Sequence, residues 1–262
     1  MLLYNEFGAH LILHKIEKII VLLYNQIQGE IEMTITKEQA EKIMAAMQEH
    51  INKETEKNLS EYDKTLSSVV DKLETCGWTL PTELGIYAVN IIGNTDEIAD
   101  IDKFLLWFFT ENDYEHYNKM VDGILASPIS DGVKRLIEEC RFAYDNKKYA
   151  ICADSLVSAI EGILSTFWSD KTNIRMMKVC QAKVDEMAND NKHITKKYLW
   201  VSYNKFIRKL YEKNNFNDDE PSFINRHWLL HGRSAYEIEE IDCLRLFNAL
   251  SSLCVIVNSE NK

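Results

Sequence analysis

The residues best suited to chemistry are concentrated in one short stretch, Phe223-Ile224-Asn225-Arg226-His227-Trp228-Leu229-Leu230-His231-Gly232-Arg233. It contains no acid, although the chain has 30 basic and 41 acidic residues and a net charge of −11. Histidine titrates nearest neutrality and so serves as a general acid or base. Arginine presents a planar, permanently charged fork to phosphate oxygens. Pro221 predicts a helix start and Gly232 its end, which puts His231 in the last turn, where its imidazole can leave the helix face. Arg226 and His231 are about 140° apart around an ideal helix. They converge only because arginine is long and His231 is terminal.

Two other readings fit the same stretch. His227 and His231 stand at i, i+4 on one face, the spacing of two zinc ligands. However, position 228 is Trp where the zinc helix motif has Glu, and no third ligand is evident. Alternatively, the polar side chains are caps and surface groups, and Trp228, Leu229 and Leu230 are core.

Arg226-x4-His231 resembles the Arg-x4–6-His motif of the HEPN superfamily, the higher eukaryote and prokaryote nucleotide-binding domains. In that family the residue after the arginine is usually polar, and here it is His227. The motif closes one helix, ends in His-Gly and is followed by a last long helix, Glu237–Val257. Upstream, Tyr149-Ala150-Ile151-Cys152-Ala153-Asp154 and Ser158-Ala159-Ile160-Glu161-Gly162-Ile163-Leu164 resemble the helix that packs on the motif helix in many bacterial members. The resemblance covers about residues 130–257. Many relatives are metal-independent ribonucleases, often toxins or effectors of antiviral defence, and some have lost activity.

The resemblance implies Arg226 and His231 as catalytic residues, supported by Asn225, His227, Glu161 and Arg233. It implies RNA as substrate, no cofactor or metal, and a homodimer that brings two motifs into one cleft. An antitoxin or regulatory protein is a further implied partner. Glu161 lies in an otherwise apolar run, where a lone carboxylate is costly and should pair or reach the surface; the resemblance gives Arg226 as its partner. The chemistry agrees. RNA self-cleavage needs the 2′-OH deprotonated, the 5′-oxygen protonated and the phosphorane charge stabilised. One histidine does not conveniently serve both sides of an in-line displacement. The runner-up reading is a catalytically silent helical module that binds a partner protein or nucleic acid. A third is a scaffold dimerising through residues 37–75.

In so acidic a chain RNA can be held only by a local basic surface. Residues 192–213 carry Lys192, Lys196, Lys197, Lys205, Arg208, Lys209 and Lys213 against one acid, Glu212, with Tyr198, Trp200, Tyr203, Phe206 and Tyr211 interleaved. Such a mixture suits phosphate contact and base stacking. Lys196, Lys197, Lys205, Arg208 and Lys209 are the expected RNA contacts. The competing reading is a solvated helix face over a core-facing aromatic stripe.

These residues must be positioned by helices. With 262 residues, 46% hydrophobic, the chain can bury a real core, and only 9 Gly and 3 Pro argue against a many-stranded β fold. Leu59, Tyr62, Leu66, Val69 and Leu73 form a helical seam. Cys76-Gly77-Trp78-Thr79-Leu80-Pro81 ends it. Helices are expected at 36–75, 82–92, 98–109, 113–126, 132–146, 149–168, 171–188, 195–213, 221–231 and 237–257. The expected fold is all-α, with an N-terminal helical region over 1–127 and a HEPN-like bundle over 128–262, divided at Ser127-Pro128-Ile129-Ser130.

The six cysteines, with no CxxC, read as buried thiols of a reducing compartment. The apolar stretch Ile19–Leu23 falls far short of the ~20 residues of a spanning helix, so no membrane segment is expected and the expected location is cytoplasmic. Residues 1–32 precede Met33. Gly29-Glu30 is encodable as a ribosome-binding sequence, so translation is expected to begin either at Met33 or at Met1, with 9–27 as an amphipathic helix.

Overall fold

A computed structural model of the chain describes residues 37–84, 86–168, 175–188, 193–213 and 215–260. The alternatives for residues 1–32 lie outside them. The described residues form nine α-helices and no strand: α1 Lys37–Cys76, α2 Ile86–Asn94, α3 Ile98–Ala126, α4 Asp131–Asp145, α5 Tyr149–Leu164, α6 Met176–Met187, α7 Ile194–Leu210, α8 Arg226–Leu230 and α9 Glu240–Glu260. A 3-10 turn, Ser165–Phe167, follows α5. The fold is all-α, as expected.

The chain divides into two units, Met1–Thr65 and Leu66–Lys262. The described part of the first is the N-terminal length of α1. The expected boundary at Pro128 falls inside the second unit, because α3 packs on α9 far along the chain. Phe247 of α9 lies edge-on to Tyr117 of α3 and to Tyr144 of α4.

α9 is the hub of the second unit and packs on α3, α5 and α7. Every residue from Asp242 to Cys254 is buried, as expected for a helix surrounded by others rather than facing water. α5 is long and apolar enough, with its 3-10 turn, to cross a membrane. Its Cys152, Leu156, Ile160 and Ile163 are buried, and it packs against α4 and α9. All six cysteines are free and buried. Burial pushes the Cys76 and Cys254 thiols up to about 11 and the Cys180 thiol up to about 12, so these three are poor nucleophiles near neutrality.

Gly77 ends α1 with φ +75°, and a Cβ there would meet Phe223 Cε2 at 2.2 Å. Beyond it, Trp78, Thr79 and Leu80 run fully buried without regular structure. Buried backbone groups need partners, and here side chains supply them. Ser202 of α7 accepts from Leu80 N (2.8 Å). Asn248 and Ser252 of α9 donate to the carbonyls of Thr79 (2.9 Å) and Leu80 (2.8 Å).

Several helix boundaries differ from expectation, two of them in the first half of the chain. α2 begins at Ile86 rather than Thr82, whose hydroxyl is engaged by Glu83 and Ser251. α3 absorbs both expected helices but is broken at Glu111–Tyr114, where Asn112, Asp113 and Tyr114 take φ of 50°, 53° and 61°. Left-handed backbone is costly for residues other than glycine. Here Tyr114 donates a hydrogen bond to Glu240 at the start of α9 (3.0 Å), which Tyr144 also does (3.0 Å).

Among the described residues, the charged residues buried in the core are Asp242 and Arg245. Asp242 is 0% and Arg245 8% exposed. Arg245 donates to Asp242 Oδ1 and to Asp102 Oδ2, both at 2.9 Å, and Asp102 also accepts from Trp78 Nε1 at 2.8 Å. Asp242 Oδ2 accepts from Glu239 N at 3.0 Å, capping α9. Removing one member of a buried pair strands the other charge. Arg245→Leu is therefore expected to lower stability in urea unfolding by about 3–5 kcal/mol, whereas Arg245→Leu with Asp242→Asn should recover part of that loss. An unchanged midpoint in the single variant would contradict this account of the core.

Candidate functional site

The motif helix α8 is shorter than expected. It starts at Arg226, not Pro221, because Asn225 takes an extended conformation and its side chain accepts from His227 N (2.9 Å) and Trp228 N (3.3 Å). Its Nδ2 also donates to Glu212 O at 2.8 Å, fixing α8 to the end of α7. Asn225 is buried, so its part is that of an N-cap. At the other end His231 is the C-cap residue. Gly232 N bonds to Leu229 O and Arg233 N to Trp228 O, both at 3.0 Å, and Gly232 takes φ +61°. This is a Schellman closure. Ile224, Trp228 and Leu229 are buried and anchor the helix, while His231, Gly232 and Arg233 are exposed.

Arg226 points to α5. Its Nε donates to Glu161 Oε1 at 2.8 Å, and its side chain is 32% exposed. Glu161 Oε1 also accepts from the Tyr211 hydroxyl, just past α7, and the Arg226 guanidinium carbon lies 5.7 Å from the Tyr211 ring centre. The hydrogen bond that Arg226 donates to Glu161 holds it above the ordinary arginine range. Burial, then Glu161, pushes the Tyr211 phenol up, so it stays a donor. One carboxylate thus orients both a cation and a hydroxyl.

His227 and His231 turn to a different neighbour. Phe216 of the preceding loop stacks on His227 with ring centres 4.3 Å apart and planes 14° apart. His231 meets the same ring edge-on at 5.8 Å, and the two imidazoles are 4.7 Å apart. The Arg233 guanidinium lies 4.2 Å from the Phe216 centre. The motif segment therefore carries two groups: Arg226 with Glu161 and Tyr211, and the histidines and Arg233 around Phe216. Tyr211, which the sequence placed among stacking aromatics, and Phe216, an apolar residue in a polar loop, were not expected here. The signal for Phe216 was its isolation among Asn, Asp and Glu. Among the described residues no group of three or more His, Cys, Asp or Glu is placed to hold a metal ion.

The expected RNA contacts diverge. Lys205 pairs with Asp71 (3.2 Å) and with Glu74. Lys209 donates to the carbonyls of Glu74 (3.3 Å) and Thr75 (2.9 Å) and sits 4.7 Å from the Phe223 ring centre. Both lysines are thus committed to the C-terminal end of α1, where cations are favoured by the helix dipole. Arg208 donates to Gln181 of α6 at 2.7 Å. Lys196 pairs with Glu260 at 3.5 Å, and Lys197 lies 5.2 Å from the Tyr198 ring centre. Lys192 lies outside the described residues. Trp200, Tyr203 and Phe206 are core. The stretch is a packing helix, not one continuous basic face, because α7 is covered by α6 and α9 and its lysines serve neighbouring helix ends.

Compared with protein-family models, with curated proteins and with solved structures, the chain matches none of them.

Burial lowers the Lys209 ammonium below the usual lysine range, and its two carbonyl partners compensate. Lys209→Glu would put a carboxylate against those carbonyls. It is expected to lower stability by about 1–2 kcal/mol, read as a lower urea midpoint. A variant as stable as the parent would return Lys209 to the list of free phosphate contacts.

Proposed function

We propose that the chain is a metal-independent endoribonuclease of the HEPN type, acting in the cytoplasm as a toxin or an effector of antiviral defence. The observation that carries this reading is Arg226, aimed by Glu161 and Tyr211 yet a third open to solvent, on the same five-residue helix that ends at the exposed His231. Histidine supplies proton transfer near neutrality, and a guanidinium fork supplies charge to a phosphorane without a metal. His231 would take the 2′-OH proton or protonate the 5′-oxygen, and Arg226 would bind the phosphate oxygens. A homodimer would bring a second His231 and Arg226 to the same phosphate, one histidine on each side of the in-line displacement.

A second reading gains weight because two expected contacts to substrate RNA, Lys205 and Lys209, are engaged within the chain. In that reading the module is silent and binds a regulatory protein or nucleic acid.

Incubation of the purified protein with RNA in EDTA separates the two. The parent should cleave. His231→Ala and Arg226→Ala should each lose about 100-fold or more while keeping the parental circular dichroism, since His231 is exposed and Glu161 keeps its bond from Tyr211. Full activity in both variants would remove the assignment to this motif, and loss of cleavage in EDTA would return the metal reading of His227 and His231.

A further inference from the structure

Phe216 is the one apolar side chain in the run from Asn215 to Glu220, and it is half-buried where most of its neighbours are exposed. What covers it is the motif segment itself. His227 stacks on its ring, Trp228 and His231 meet it edge-on, and Arg233 lies over it. The loop is fastened to the far side of the motif as well. Glu220 accepts from the Ser234 hydroxyl and, at 2.7 Å, from Ala235 N. Residues 216 and 220 therefore bracket His231 and Gly232, one contacting the imidazoles and the other fixing the chain just beyond them.

His231 needs this bracket. It is exposed, it closes its helix, and the next residue is a glycine in left-handed conformation. Backbone geometry alone leaves the imidazole its rotamers, and a proton-transfer group must be held at a defined place to act. Aromatic rings prefer offset-stacked and edge-to-face contacts, and Phe216 makes one of each, to His227 and to His231. The geometry points to Phe216 as the positioning residue of the site: its face holds the His227 imidazole, and its ring, together with His227, holds that of His231 through perpendicular contacts. The role rests on the ribonuclease reading for its effect on turnover, but not for its effect on the two imidazoles.

The test uses the full chain with Phe216→Leu, Phe216→Tyr and, as a second way of freeing the loop, Glu220→Ala. In proton–carbon NMR spectra the His227 ring protons should be displaced upfield by the Phe216 ring current in the parent. The displacement should vanish in Phe216→Leu, persist in Phe216→Tyr and shrink in Glu220→Ala, with the His231 resonances moving in the same variants. Where the parent cleaves RNA, kcat should fall about tenfold or more in Phe216→Leu with KM changed by less than about twofold, and Phe216→Tyr should restore it. Histidine resonances in Phe216→Leu that coincide with those of the parent would overturn the proposal. So would an unchanged kcat accompanying displaced resonances. If the parent cleaves no RNA, the ribonuclease reading falls while the spectra still decide whether Phe216 positions the two imidazoles.

Discussion

The Glu161 carboxylate is the point at which the helical frame shapes the candidate site. It lies on α5, a helix otherwise chosen for burial, and an isolated charge there would be costly. Arg226 and Tyr211 share one of its oxygens, so the beginning of α8 and the end of α7 are drawn to the same atom. The Asn225 bond to Glu212 fastens the same two elements a few residues away. Arg226 therefore has little freedom to turn elsewhere, and its orientation is inherited from α5 rather than from its own short helix. In a five-residue helix that is necessary, since the intrahelical bonds alone are too few to define a direction.

Behind this arrangement stands α9. Its start is fixed by Asp242, which caps the helix and holds Arg245, and Arg245 reaches on to Asp102 of α3. Glu240 receives two tyrosine hydroxyls at the same end. The segment from His231 to Glu239 is thus suspended between a Schellman closure and a pinned helix start. Its exposed residues, His231 and Arg233 among them, are placed by their ends and by Phe216.

Much of the frame was legible in the sequence because local chemistry decided it. Scarcity of Gly and Pro gave helices. Gly77 stopped α1, and Ser130 caps α4 by accepting from Val133 N. What was not legible came from contacts distant in sequence. Pro221 read as the helix start, whereas α8 starts after Asn225, whose capping side chain is held in place by the distant carbonyl of Glu212. Lys205 and Lys209 read as free cations until the end of α1 is placed beside them. Pro128 read as a domain boundary, but Tyr117 and Phe247 join the two sides of it. Glu161 was legible as a carboxylate in need of a partner, whereas its bond from Tyr211 depended on where α7 ends.

The proposed reading assigns proton transfer to His231 and phosphate binding to Arg226, at opposite ends of one short helix, and that pairing commits it to one chemistry, attack by the RNA's own 2′-oxygen. Mass spectrometry of the ends left on a single RNA oligonucleotide by the purified protein in EDTA tests this most directly. The account predicts a 2′,3′-cyclic phosphate on one product, a 5′-hydroxyl on the other, and no cleavage when the ribose at that position carries a 2′-O-methyl group. A 5′-phosphate with a 3′-hydroxyl, cleavage of the methylated oligonucleotide, or an oligonucleotide left intact would contradict it.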